Sequence, residues 1–281
     1  MFRTIVEKLS VRYDVREARA LAFILLEDGF GVSRTDVFAD KVRHFSEDEA
    51  ARLQNILLQM EAGVPLQYAL GRARFCSWDF LVTPDTLIPR PETEELVEWT
   101  VECVGRREDL ALPKILDCGT GTGCIAIALS LLLPAARVEA WDVSEGALRV
   151  ARQNAERLRA AVEFLRRDVL TELPTAESFD FIVSNPPYIC ESESAEMEPH
   201  VLEHEPYLAL FVPDDDALIF YRALCRIGQH ALRPEGMVLM EVNRQFANEV
   251  ARLFAEADYA DVELRHDQFG QPRMVAARWR G

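Results

Sequence analysis

The chain has no Cys-x-x-Cys pair, and its six cysteines, Cys76, Cys103, Cys118, Cys124, Cys190 and Cys225, follow no regular spacing. That argues against a zinc ribbon, a dithiol redox centre or a disulfide framework, and points to reduced thiols used in packing or loops. No uninterrupted apolar run approaches the roughly 20 residues that span a bilayer. The first residues, Met1 to Lys8, lack the apolar centre of a secretory signal, so no membrane role is expected and the cytoplasm is the expected location. Internal repeats and low-complexity tracts are missing as well. Basic residues are in short supply: 31 Lys and Arg stand against 47 Asp and Glu, a formal net charge of −16. That balance disfavours loose attraction to phosphate backbones, so direct nucleic-acid binding is not expected and a partner with a basic patch suits the chain better. What is there is 281 residues, 49% of them hydrophobic, enough for one large domain and a small one.

The first 63 or so residues carry a helical pattern. Ala18, Leu21, Ala22, Leu25 and Leu26 form one stripe over Val15 to Glu27, and Ala50, Leu53, Ile56, Leu57 and Met60 form another over Ser46 to Met60. Ser46 with Glu49 three residues on is a capping-box start, and Gly63 and Pro65 end the pattern. A small helical bundle follows from this, either a docking module or a shield for the larger domain. From Arg72 to Pro84 the pattern is that of a hairpin, and Pro89 and Pro91 then hold an extended segment ahead of a helix from about Glu94 to Val104. After Pro113 apolar strands alternate with helices, which implies an α/β fold with a mostly parallel sheet covered on both faces. Ligands in such sheets sit beyond the carboxyl ends of the strands.

Two motifs fall at such ends. Asp117-Cys118-Gly119-Thr120-Gly121-Thr122-Gly123 is a glycine-rich turn between the strand Lys114 to Cys118 and a helix beginning near Thr122. Its glycines allow a sharp turn and close approach to a ligand, and the helix start presents free N–H groups. The GxGxG spacing departs from the GxGxxG of dinucleotide folds. Asp142 ends the next strand, where a carboxylate can accept from both ribose hydroxyls of a nucleotide-like cofactor, although it could also cap the helix that Ser144 can start. Asp168 ends the third strand and could face an adenine amino group, with Val169 packing on the ring; a solvated turn residue is its other reading. Asp117 could bind loop N–H groups or, through water, a ligand ammonium.

The second motif is Asn185-Pro186-Pro187-Tyr188, which follows the apolar strand Phe179 to Ser184. Two prolines remove backbone donors and leave carbonyl oxygens free beside the Asn185 amide and the Tyr188 ring. This is a receptor for a planar NH2 group. A carboxamide nitrogen is a poor nucleophile, because its lone pair is delocalised, so it must be oriented as well as approached. If Asn185 Oδ1 and the Pro186 carbonyl each accept one N–H, the nitrogen is fixed and its electron density is aimed in one direction. Tyr188 would pack against the amide and help exclude water. No strong general base is needed, since the proton can leave after the new bond has formed.

Together these motifs resemble the Class I S-adenosylmethionine-dependent methyltransferases. Over nearly its whole length the chain resembles the peptide chain release factor glutamine N5-methyltransferase family, known as HemK or PrmC. The matching stretches are Gly63 to Tyr68, Gly71, Leu87 to Glu95, Leu116 to Gly123, Val183 to Ile189, Glu205-Pro206, Phe220 to Arg222, Gly236 to Glu241 and Asp267 to Arg273. The resemblance implies a Rossmann-like seven-stranded methyltransferase domain over 89–281, preceded by a helical bundle over 1–70 and a β-hairpin linker over 71–88. It implies a cytoplasmic enzyme, expected as a monomer without a metal, that uses S-adenosylmethionine to methylate the glutamine of the Gly-Gly-Gln motif of class I release factors docked by the bundle. Gly119, Thr120, Gly121, Thr122, Gly123, Asp117, Asp142, Asp168, Val169 and Asn185 would meet the cofactor. Asn185, Pro186, Pro187 and Tyr188 would meet the substrate, and Arg90, Pro91, Glu92 and Thr93 would line the same pocket. Val169 stands where the family often has an aromatic residue, and Asp214 to Asp216 where it often has glycine.

Other readings compete. His200-Val201-Leu202-Glu203-His204 matches the HxxEH pattern of inverted zinc proteases, but Pro199 and Pro206 bracket it. Adenine-N6 methylation of DNA poses the same orientation problem, yet needs a basic duplex-binding surface. Glutamine methylation of a ribosomal protein differs only in the docking surface. A non-catalytic adaptor binding release factors or ribosomes is disfavoured by the intact Asn185, Asp142 and glycines.

Overall fold

The structure, a computed structural model, describes residues 1–39, 41 and 43–281. They group into two units, Met1–Ala73 with Glu198–His204, and Arg74–Met197 with Glu205–Gly281. The first contains α1 (Phe2–Leu9), α2 (Val15–Phe30), α3 (Arg34–Phe38), α4 (Glu47–Glu61) and α5 (Leu66–Leu70). Asp14 caps α2 by accepting from the N–H groups of Arg16 and Glu17, and Gly31 ends it in the left-handed region. The helix runs past the expected end at Glu27 because Phe30 still has a place in the core. The Ser46–Glu49 capping box opens α4 as the sequence predicts. The two stripes meet, burying Ala18, Ala22, Leu25, Leu26, Ile56, Leu57 and Met60 with Ile5 and Leu9.

The chain continues as a hairpin of β1 (Arg72–Phe75) and β2 (Trp78–Leu81). Cys76 and Ser77, at φ 46° and 72°, supply the two positive-φ residues that a tight hairpin turn requires. Next come α6 (Pro91–Gly105), β3 (Lys114–Cys118), α7 (Cys124–Leu132), β4 (Arg137–Asp142), α8 (Glu145–Leu158), β5 (Val162–Arg166), β6 (Phe179–Ser184) and β7 (Ile189–Cys190). The helix α9 (Pro199–His204) belongs to the first unit. Then follow α10 (Tyr207–Leu210), β8 (Phe211–Val212), α11 (Ile219–Ala231), β9 (Leu232–Glu241), α12 (Ala247–Glu256), β10 (Tyr259–His266) and β11 (Pro272–Trp279). Pro91 starts α6 three residues earlier than expected, since its fixed φ suits a first helical position.

The second unit is built on a seven-stranded sheet in the order β10-β11-β9-β6-β3-β4-β5, the Rossmann-like arrangement expected. β9, β6, β3, β4 and β5 run parallel, while β11 pairs antiparallel with both β9 and β10. All six residues of β6 are buried, as a strand covered on both faces must be. From β3 the chain moves outward through β4 and β5, then returns to β6 on the other side of β3. The reversal leaves a crevice above the carboxyl ends of β3, β4 and β6, and both informative motifs sit there.

Candidate active site

A cavity of about 350 Å³ occupies that crevice. Its wall includes Gly119, Gly121, Asp142, Asp168, Val169, Asn185 and Pro187. The glycine turn is held from behind. The N–H groups of Gly119 and Thr120 both donate to the Trp141 carbonyl at 2.9 Å, and the Thr120 hydroxyl donates to Asp117 Oδ2 at 2.6 Å. Gly119 and Gly121 have positive φ, and a Cβ built on either meets nothing within 4 Å, so the backbone is open to a ligand there. Gly123 serves packing instead: a Cβ would lie 2.9 Å from Ile127 Cδ1 and 3.1 Å from Ala151 Cβ. Thr120 and Thr122 are buried and lie outside the cavity wall.

Asp142 Oδ2 accepts from Gly121 N–H at 2.9 Å and Oδ1 from Ser144 N–H at 2.8 Å. Ser144 caps α8 with its own hydroxyl, so Asp142 is not needed as the cap. Each carboxylate oxygen keeps acceptor capacity toward the cavity. Burial raises the Asp142 pKa against the pull of its backbone donors. Asp117 is fully buried, and burial pushes its pKa up to about 7. Its Oδ2 also accepts from Ala126 N–H at 3.2 Å, whereas its Oδ1 has no partner. Asp117 lies behind the turn and outside the cavity wall, so no ligand group in the cavity reaches this oxygen directly. Asp168 Oδ1 accepts from Leu170 N–H at 2.9 Å, a turn contact, while Val169 and Leu170 give that wall an apolar surface.

The opposite wall ends in Asn185. Its Nδ2 donates to Thr93 Oγ1 at 3.0 Å, Thr93 donates to Glu241 Oε2 at 2.7 Å, and the Tyr188 hydroxyl donates to Glu241 Oε1 at 2.9 Å. Thr93 and Glu241 are buried. Burial raises the Glu241 pKa, opposed by its two hydroxyl donors and by the charge of Arg273. Tyr188 is thus anchored through its hydroxyl, and its ring packs on the core beside β9. Pro186 is buried next to Asn185, and among the described residues no donor reaches its carbonyl.

Arg90, Pro91, Glu92 and Thr93, expected to line the same pocket, lie beside the cavity and outside its wall. Arg90 pairs with the buried Glu205 at 2.6 Å, and Glu205 also accepts from Ile88 N–H at 3.2 Å. The segment that does form wall is Pro84 to Leu87, together with Pro206, Leu208, Ala209 and Phe220. Leu87, Glu205, Pro206, Phe220 and Glu241 stood in the sequence only as stretches shared with the family and were given no place in the site, and Asn154 was missed. Asn154 Nδ2 donates to the carbonyls of Leu81 and Thr122, and its Oδ1 accepts from Leu81 N–H. A polar residue on the apolar stripe of α8 was the available signal. Among the described residues no group of three or more His, Cys, Asp or Glu side chains could hold a metal, and His200 and His204 lie on the short helix α9. Asp214 accepts from both the N–H and the hydroxyl of Ser192, so the acidic departure at 214–216 ties down a surface loop.

Comparison with known proteins gives the PrmC N-terminal domain family over residues 2–71 and the Methyltransferase small domain family over 104–203. A release factor glutamine methyltransferase of Bacteroides thetaiotaomicron is 43% identical over 266 residues, covering 94% of each chain. Another, of Flavobacterium psychrophilum, is 37% identical, covering 98% of this chain and 96% of its own. Among solved structures, the hMettl16 catalytic domain in complex with MAT2A 3'UTR hairpin 6 matches with a TM-score of 0.55 at 16% identity. That match spans 85% of this chain and 84% of the other, a likeness of fold.

Proposed function

From the premise that this chain belongs to the release factor glutamine methyltransferase family, we propose that it methylates N5 of the glutamine in the Gly-Gly-Gln motif of class I peptide chain release factors. It is an S-adenosylmethionine-dependent methyltransferase. The cofactor supplies a methyl group activated by a sulfonium charge. Gly119 and Gly121 would give it a bare backbone to lie against, Asp142 would accept from its ribose hydroxyls, and Val169 and Leu170 would cover its base with Asp168 at the edge. Asp117, buried behind the turn, would meet its ammonium group only through water.

One observation carries the substrate reading: Asn185 sits in the cavity wall with its amide nitrogen already committed to Thr93, which leaves Oδ1 as the free end. Oδ1 and the Pro186 carbonyl accept the two N–H groups of the substrate carboxamide. Both are neutral dipoles fixed in advance, so the nitrogen lone pair is aimed at the methyl carbon without reorganisation at the moment of reaction. As the N–C bond formed, the sulfur–methyl bond would break with its electron pair left on sulfur as a neutral thioether, and the amide proton would pass to water. Residues 1–70 are the docking module for the release factor, and the enzyme works as a cytoplasmic monomer.

The test is transfer from labelled S-adenosylmethionine to a purified class I release factor, its Gly-Gly-Gln glutamine-to-alanine variant, and duplex DNA. Label is expected on the intact factor alone. Label on DNA, or on the alanine variant, overturns the substrate assignment.

A further inference from the structure

Counting protons around Glu241 shows how the Asn185 amide is kept the right way round. Burial raises the Glu241 pKa, while its two hydroxyl donors and the Arg273 charge favour the ionised form, and an ionised carboxylate accepts and never donates. Each of its oxygens faces one hydroxyl, Thr93 on Oε2 and Tyr188 on Oε1, so both hydroxyls commit their single proton to it. Thr93 Oγ1 is then left with lone pairs only, and what approaches it at 3.0 Å from Asn185 has to be the NH2 end of the amide. The orientation follows from this chain of donors and acceptors, independently of the near-identical shapes of the amide oxygen and nitrogen. A flipped Asn185 would set its oxygen against the Thr93 oxygen with no proton between them. It would also turn an NH2 group toward the place where an acceptor is required.

We infer that Glu241 is a positioning residue for the methyl transfer: acting through Thr93 it fixes which end of Asn185 faces the substrate, and through Tyr188 it pins the far side of the same turn. This rests on the reading of Asn185 Oδ1 as an acceptor for the substrate amide. Glu241 touches neither substrate nor cofactor in this scheme. It works across 148 residues of sequence to Thr93 and 53 to Tyr188, from the end of the strand next to β6.

The exchange Glu241→Gln keeps size and shape while ending the proton order. A carboxamide can present NH2 to Thr93, whose hydroxyl is then free to donate to a flipped Asn185. Glu241→Gln and Thr93→Val are each expected to lower kcat on the order of 10- to 100-fold. KM for the release factor and the calorimetric Kd for S-adenosylmethionine are expected to stay within about twofold, since no group in contact with either has been removed. Because the two residues act as one unit, the double variant should lose no more than the worse single variant. Thr93→Ser, which keeps the hydroxyl, should restore most of the rate. The NMR signals of the Asn185 side-chain NH2 should move in both Glu241→Gln and Thr93→Val.

Wild-type kcat in Glu241→Gln, or single losses that multiply in the double variant, overturns the inference if Asn185→Ala is impaired. If Asn185→Ala also retains full activity, the reading of Asn185 itself is what has failed. Should Glu241→Gln melt below assay temperature, the contrast between Thr93→Val and Thr93→Ser decides: equal activity in that pair overturns the inference.

Discussion

The two units bury different kinds of side chain. Among the described residues, every buried polar or charged side chain lies between Thr86 and Asp267, in the α/β unit, while the helical unit buries only apolar ones such as Ile5, Leu25, Leu26 and Met60. Burying a polar group costs free energy unless a partner satisfies it, and a network of such groups holds one arrangement or fails as a whole. The helical unit therefore owes its stability to area removed from water. The α/β unit gives up some of that stability for groups that must be fixed in space: Asp117, Thr93, Glu241 and, at the cavity wall, Asn185.

Substitutions can break or sharpen this contrast. The largest effect is expected from Asn185→Ala, which removes a preplaced acceptor: kcat for release-factor methylation should fall on the order of 10³-fold, about 4 kcal/mol in the barrier. Cofactor affinity by calorimetry should stay close to wild type, with little change in melting temperature. Asp117 tests the cost of a buried carboxyl. Its folded pKa, about 7, lies above the ordinary 3.8, so the folded state holds the proton more tightly than the unfolded state. That contribution to stability is full below about pH 4 and is lost as pH rises toward 7, on the order of 2–4 kcal/mol. Denaturant unfolding from pH 4 to 8 should show Asp117→Asn gaining on wild type across that window; parallel curves would refute it.

In the helical unit, Leu25→Ala should cost about 3 kcal/mol by leaving a cavity, read by denaturant unfolding, while cofactor affinity is unchanged. Smallest of all, Ser46→Ala removes a helix cap from α4 and should cost about 1 kcal/mol with no effect on cofactor binding. If Leu25→Ala weakened cofactor binding severalfold, the division between a unit stabilised by packing and a unit built for chemistry would fail.

Much of this was legible because it is local. The Ser46–Glu49 box, the stripes of α2 and α4, the largely apolar run of β6 and the glycine turn are each written within a few consecutive residues. Asn185 could be found because β6 delivers it to a strand end next to two prolines. What could not be read depends on neighbours distant in sequence. The insertion of β11 between β9 and β10 is a matter of sheet assembly, and β11 itself looks like any apolar strand. Thr93 read as a residue of the cofactor pocket because nothing near it in sequence announces Glu241, which supplies its partner from the end of β9. Likewise Arg90 gave no sign that the buried Glu205 would hold it out of the cavity wall.

The clasp made by Asn154 has a consequence for the rim of the cavity. A single carboxamide grips both edges of Leu81, at the end of the hairpin that leads into Pro84 to Leu87, and the carbonyl of Thr122 in the glycine turn. Two segments distant in sequence, each next to a stretch of lining, are thereby held at one residue. Prising the hairpin away would loosen the glycine turn at the same stroke.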